Sequence, residues 1–464
     1  MKIADELAGF LDPAAIVDTG DERARFGDDL SASALLRRRG GGAPRGPAAV
    51  VRPRATAEVA QVLAWAQSTA TPVVPYGAGS GVCRGIEPGT GAVVVDMSAM
   101  DRVLDVDQKS RLVRAQAGVG GAVLGEELAA AGLTTGHEPQ SLHISTVGGW
   151  VATRACGQLS ARYGGIERIL ASLEAVLPGG EVVRSKTVPR RAIGPDVASL
   201  MIGSEGTLGI VTEATLRVQL LVSDRAHACV TFEHMADGVA ACRAIVQSDL
   251  RPTLVRLYDP DDAAIFFRRL DEPPSGAVLL LSFDGPDGAA RATRAGDLAA
   301  GRPAPAELVA HWWAHRNDAV GAYLELMDGS GVLGPHAAVD TMEVSGTWSI
   351  LRPLYHSMKD ALAAEADLVG CHLSHVYPDG GCLYFTLASA SSDDEQAGRT
   401  LNRWWEVGMP ACLGAGGSIS HHHGIGRTKA RWLPDELGGW WDVLVAVKAA
   451  LDPAGIMNPG ALGL

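Results

Sequence analysis

From Ala48 onward, short apolar runs alternate with longer stretches that repeat apolar residues at helical spacing. Ala48–Val51, Thr71–Pro75, Gly91–Asp96 and Arg111–Ala117 read as strands, with helices over Thr56–Ser68 and Val119–Ala131. Thr56 is placed as the N-cap of the first helix, and Glu58 lies in its opening turn. A different texture begins near Leu216: strands over Ala226–Phe232, Thr253–Leu257 and Ala277–Phe283 are separated by helices over Met235–Ser248 and Ala289–Ala300. Two Trp pairs, at 312–313 and 404–405, fall in or beside later helices, and Ser374–Phe385 reads as a hairpin. Ahead of all this, Asp12–Pro47 is rich in Arg, Gly and Pro and reads as an irregular entry with a solvated basic turn at Arg37–Arg39. The expected fold class is α+β, divided into residues 1–215, 216–414 and a C-terminal segment 415–464 that returns to the first domain.

Composition narrows the partners. With 47% hydrophobic and 20% charged residues the chain is a folded protein. Its 53 acidic against 40 basic residues give a net charge of −13, which argues against nucleic acid as a partner. Met1–Phe10 leads into no apolar stretch and no run is long enough to span a bilayer, so a cytoplasmic location is expected. Seven cysteines, none in a CxxC pair, fit reduced thiols better than a zinc site. The basic turn and the Trp pairs leave a peripheral membrane contact and a homodimer contact both open.

Candidate chemistry sits in three small-residue loops. Pro75, Tyr76, Gly77, Ala78, Gly79, Ser80, Gly81 and Val82 follow a strand directly, and their glycines allow a nest of N–H groups for phosphate oxygens. A tight structural turn is the alternative, and the GxGxxG spacing of an NAD site is missing. Gly136–Gly157 concentrates Pro139, Ser141, Ser145, Thr146, Gly148, Gly149 and Thr153, small hydroxyls and bare backbone suited to a flat polar ligand. A third loop, Gly203–Gly209, carries Glu205, Gly206 and Gly209 and runs into a β-like segment from Ile210.

Together, the PYGAGSGV loop, the GHEPQSLHISTVGGWVATRACG stretch, GPD at 194–196, GSEGTLGIVTEA and SISHHHGIG at 418–426 resemble the vanillyl-alcohol oxidase family of FAD enzymes. Within it the likeness is greatest to the alkyldihydroxyacetonephosphate synthases. The resemblance implies a two-subdomain FAD-binding domain and an α+β cap built on an antiparallel sheet. It implies pyrophosphate on Gly77, Gly79, Ser80 and Gly81, isoalloxazine and ribityl near Pro139, Ser141, Ser145, Thr146 and Gly149, and the adenine side near Glu205 and Ile210. The first loop contains no His, where relatives that attach the flavin covalently through that loop carry one, so non-covalent FAD is expected.

His421, His422 and His423 are the sharpest catalytic signal. A metal site or an inert run are the alternatives to acid–base work, for which imidazole has a suitable pKa; no acidic partner at helical spacing accompanies them, so no metal is expected. Tyr384 reads as a buried strand aromatic or, by the resemblance, as a hydroxyl over the flavin. Arg256 interrupts an apolar strand and needs either an internal salt bridge or an anionic ligand. His375 adds a polar group to the same apparent hairpin, and Arg190, by the resemblance, lies near the flavin. His311, His315 and Arg316 read as a helix surface, with lining of the pocket as the alternative.

The resemblance implies exchange of the acyl group of acyl-dihydroxyacetone phosphate for a long-chain alcohol through a flavin N5 adduct, with an anionic, lipid-like substrate. Oxidation of a D-2-hydroxy acid by the same flavin is the alternative.

Overall fold

The computed structural model describes residues 3–17, 19–42, 46–305 and 307–464. The strands and helices expected between Ala48 and Ala300 are present within two residues of their expected ends, and the hairpin expected at Ser374–Phe385 is longer, running from Leu368 to Ser389. In a first sheet, β1 (Ile16–Val17), β2 (Ala49–Val51), β3 (Val73–Tyr76) and β4 (Val93–Asp96) run in the order β1-β2-β4-β3, parallel except for β1. Apolar Val59, Val62, Leu63 and Ala66 of the helix Thr56–Thr69 pack on this sheet. A second, antiparallel sheet has the order β5-β6-β10-β8-β9, from β5 (Val103–Asp107), β6 (Leu112–Gln116), β8 (Leu170–Val176), β9 (Val182–Arg184) and β10 (Ile210–Arg217). Short β7 (Leu133–Thr134) and β11 (Gln219–Leu220) pair beside it.

The third sheet has seven antiparallel strands in the order β15-β12-β14-β13-β17-β18-β16. They are β12 (Arg225–Phe232), β13 (Leu254–Tyr258), β14 (Ala277–Asp284), β15 (Arg302–Pro303), β16 (Ala338–Thr347), β17 (Leu368–Tyr377) and β18 (Gly380–Ser389). The α+β cap on an antiparallel sheet is therefore as expected. The two-residue period of the strands sorts their side chains onto two faces. Val255, Leu257, Cys371, Leu373, Leu383, Phe385, Met342 and Val344 join the large core beneath helices such as Trp348–Ala363 and Asp394–Gly414. The intervening positions, Arg256, Tyr258, His372, Ser374, Tyr384, Thr386, Thr341 and Glu343, put polar groups on the opposite face. No described helix is long and apolar enough to cross a membrane.

Three expectations are corrected. The N-cap of the helix Thr56–Thr69 is Ala55, and the Thr56 hydroxyl instead donates to Glu174 Oε1 at 2.6 Å. Arg37–Arg39 form no solvated turn but end a helix, Ala32–Arg39, whose Ala32 and Leu36 enter the large core. Arg37 pairs with Asp28, and Arg39 is held by Asp394 Oδ1 (3.0 Å) and by the carbonyls of Met327 (3.0 Å) and Ala337 (2.9 Å). The Trp pairs offer no surface patch, because Trp312, Trp404 and Trp405 are buried in the cores.

Candidate active site

A cavity of about 960 Å³ opens between the first two sheets and the polar face of the third. On one side it is lined by all of Pro75–Val82, by Pro139, Ser141, Ser145, Thr146, Gly148, Gly149 and Thr153, and by Glu205, Gly206, Gly209 and Ile210. The three loops meet because their glycines let them. A Cβ on Gly77 would lie 2.5 Å from Thr146 Oγ1, and one on Gly206, at φ +74°, would lie 2.7 Å from the Pro75 ring. The N–H groups of Gly77 through Gly81 have no partner in the chain among the described residues. Asn458, anchored through Nδ2 to the carbonyls of Gly85 and Glu205, also borders the cavity, and its buried Oδ1 has no partner among the described residues. Unpaired donors along a close-fitting cradle suit the pyrophosphate of a flat dinucleotide, so these residues fit FAD.

Opposite the cradle stand Arg256, His372, His375, Tyr384, His422 and His423, all of which line the cavity. Arg256 makes no salt bridge among the described residues, so that reading is set aside. Its Nε donates to Tyr258 Oη at 2.8 Å and its Nη2 to His372 Nε2 at 2.8 Å. Nδ1 of His372 lies 2.7 Å from Asp262 Oδ2, which fixes the imidazole with its proton toward the carboxylate and its lone pair toward the guanidinium. Burial, then the nearby Arg256, push the His372 pKa down to about 4 against the pull of Asp262. The Tyr384 ring stacks on His372 at 4.7 Å and meets His423 edge-on at 5.4 Å. Burial raises the Tyr384 hydroxyl well above the ordinary phenol value, so it is a proton donor and not a phenolate.

The tri-histidine loop is held by a group absent from the sequence reading. Glu343, fully buried on β16, accepts from the backbone N–H of His421, His422 (3.3 Å) and His423 (3.1 Å) and from Lys429 Nζ (2.8 Å). Burial alone would protonate it, but the buried Lys429 ammonium beside it holds it well below the usual carboxylate range. The imidazoles go the other way. Burial depresses His423 to about 4, His422 well below its ordinary value, and His421 also, so all three are neutral near pH 7. Of the three, His421 is absent from the cavity lining. It bonds Tyr377 Oη at 3.1 Å and stacks on His375 at 4.8 Å. Cys156, His375 and His421 bring potential ligand atoms within 4.8 Å of one another, as do Cys382, His421 and His422; Cys156 Sγ and His421 Nε2 hydrogen-bond with Tyr377 Oη, and His375 Nδ1 with Ser160 Oγ.

Arg190 is a further correction: it is exposed and does not line the cavity, and its neighbour Arg191 is spent on Asp196 at 2.9 Å. Conversely His311, His315 and Arg316, read as helix surface, do line the cavity, where Arg316 bridges to Glu138 of the cradle side at 3.2 Å. His372, Asp262, Glu343 and Lys429 were missed. The strand period could have found His372, two residues before Ser374 in the same apparent hairpin, but nothing local marks Glu343, whose partner Lys429 lies 86 residues away.

Comparison with known proteins agrees with this geometry. Residues 47–186 match the FAD binding domain, and residues 222–462 match the C-terminal domain of FAD linked oxidases. An uncharacterized FAD-linked oxidoreductase of Escherichia coli (strain K12) is 34% identical over 436 residues, spanning 90% of this chain and 89% of its own. The alkyldihydroxyacetonephosphate synthase of Caenorhabditis elegans is 29% identical over 97% of this chain and 82% of that protein. A glycolate oxidase subunit of Bacillus subtilis (strain 168) is 26% identical over 90% of this chain and 89% of its own. A solved alkyldihydroxyacetonephosphate synthase superposes with a TM-score of 0.77 at 27% identity, over 98% of this chain and 84% of that one. The chain belongs to the FAD-linked oxidase family, and FAD is its cofactor.

Proposed function

We propose that this protein is an alkyldihydroxyacetonephosphate synthase-like enzyme that exchanges the acyl group of an anionic, lipid-like ester for a long-chain alcohol. One observation carries the reading: Arg256, a buried guanidinium with no carboxylate of its own, shares a cavity with the proton-handling set Tyr384, His422 and His423, and that cavity continues past apolar Ile265, Phe266, Val320, Leu326 and Val332. A cation beside an apolar gallery matches a phosphate joined to a hydrocarbon chain. The likeness to the C. elegans synthase along nearly the whole chain supports it.

FAD, when bound, supplies an electrophilic, redox-active ring next to the substrate carbon. Arg256 holds the phosphate, its direction set by His372 and Asp262. Neutral His423 accepts the proton from the carbon that bears the ester oxygen, and the Tyr384 hydroxyl, kept protonated by burial, is placed to return it. The carbon–oxygen bond to the acyl group breaks with its electron pair on the departing carboxylate, the alcohol oxygen takes the same carbon, and the alcohol proton leaves to solvent. There is no net redox change. Loop 75–82 offers no histidine for attachment, so the flavin is held non-covalently in this reading.

A second reading, oxidation of a D-2-hydroxy acid, is favoured by the same pair in another role: one guanidinium suffices for a carboxylate, and a neutral His423 suits removal of the hydroxyl proton. The glycolate oxidase likeness supports it. Anaerobic absorbance spectra of the FAD-loaded protein distinguish the two. Acyl-dihydroxyacetone phosphate with hexadecanol is expected to release fatty acid without lasting bleaching of the flavin. Bleaching by D-lactate or glycolate, with no fatty acid released from the ester, would overturn the synthase reading.

A further inference from the structure

A second cavity, of about 770 Å³, lies where α-helical Ser160–Tyr163, the ends of β6 and β10 and the turn after Met235–Val246 come together. Arg111, Arg162, Arg168, Arg217, Arg251 and Arg291 line it, and no lining residue is acidic. In a chain of net charge −13 this is an unusual local balance. None of the six arginines forms a salt bridge among the described residues, whereas arginines elsewhere, such as Arg39, Arg225 and Arg403, do. Three are instead oriented by backbone carbonyls, which leave the charge unneutralised. Arg217 Nη1 donates to the carbonyls of Arg168 (3.2 Å) and Leu170 (2.6 Å), Arg291 Nη1 to that of Leu250 (3.3 Å), and Arg162 Nη1 to that of Asp284 (3.3 Å).

We propose that this cavity binds a small polyphosphorylated anion. A single phosphate is served by two or three guanidinium forks, so six around one concavity call for at least a second phosphate group. The hollow form of the site favours a small molecule over a flat membrane surface, and apolar Ile169, Val246 and Val376 on the same walls leave room for an organic moiety. The site also adjoins the catalytic cluster. Tyr377 lines this cavity and bonds His421, and Ser160, two residues before Arg162, lies 2.8 Å from His375 Nδ1.

The test is calorimetric titration of the FAD-loaded protein with sodium tripolyphosphate at fixed ionic strength, compared with an Arg168→Glu/Arg251→Glu variant. Both side chains are exposed and make no hydrogen bond or ion pair among the described residues, so flavin content and melting temperature are expected to stay unchanged. The expected result is one tripolyphosphate per chain and at least a tenfold loss of affinity in the variant. Equal affinity in the variant would overturn the proposal, as would equal heat from sodium sulfate. Arginine-dependent binding confined to phosphatidylglycerol vesicles would overturn it in favour of a membrane surface.

Discussion

Glu343 is ionised in a place where water cannot reach it, and it remains so because five donors from the residues it positions converge on it. Replacing it by Gln leaves Lys429 as an uncompensated buried charge, a change of the kind that costs about 3–5 kcal/mol. Glu343→Gln is therefore expected to lower the melting temperature of the FAD-loaded protein by many degrees in a thermal scan; an unchanged midpoint would mean that the loop is held by something else. Tyr384→Phe preserves the ring stacked on His372 and removes the hydroxyl. Turnover of the responding substrate is expected to fall by a factor of about 100 or more, with the flavin-to-protein absorbance ratio unchanged. Normal turnover would return Tyr384 to a packing role. Arg256, Tyr384 and the histidines were legible in the sequence because each interrupts an apolar or glycine-rich run with a chemistry-bearing side chain. The groups that orient them were not, because a carboxylate such as Asp262 or Glu343 takes its meaning from partners distant along the chain.

At the scale of elements, period carries far. Alternation and helical spacing located the strands and helices, since burial of one face is what both patterns record. The misreadings came where tertiary contacts decide: Thr56 looks like a cap but is drawn to Glu174 on β8, and the triple arginine looks solvated but meets Asp28 and Asp394. The cradle depends on close approach between elements, so Gly77→Ala, which drives a methyl group toward Thr146, is expected to yield protein with a clearly lower 450-to-280 nm absorbance ratio. Full flavin occupancy in that variant would show that the loop can move aside at no cost to binding.

For the molecule as a whole, the buried imidazoles dominate the response to acid. Burial pushes His137 down to about 3, His372 and His423 to about 4, and His375, His421 and His422 below their ordinary values. Each binds fewer protons folded than unfolded, so the stability it leaves intact above its unfolded pKa of about 6.5 is lost as pH falls toward the folded value. Asp29, raised by burial to about 6, Glu205 and Asp340, raised to about 7, and Asp259, also raised by burial, act in the opposite sense over part of that window. Six imidazoles against four carboxyls give a net loss. The melting temperature of the FAD-loaded protein is expected to drop as pH is lowered from 7.5 to 5.0, and a flat or rising midpoint would contradict the protonation states assigned to the site.

The helix Ala32–Arg39 belongs by sequence to the beginning of the chain and by packing to the seven-stranded sheet, where Arg39 reaches Asp394, 355 residues later. The substrate-facing lobe is therefore not a cassette. Recombining it between relatives at a crossover near residue 216 would strip the graft of one of its own helices and leave a carboxylate and two carbonyls without their cation, so a workable chimera has to take two pieces from the same parent.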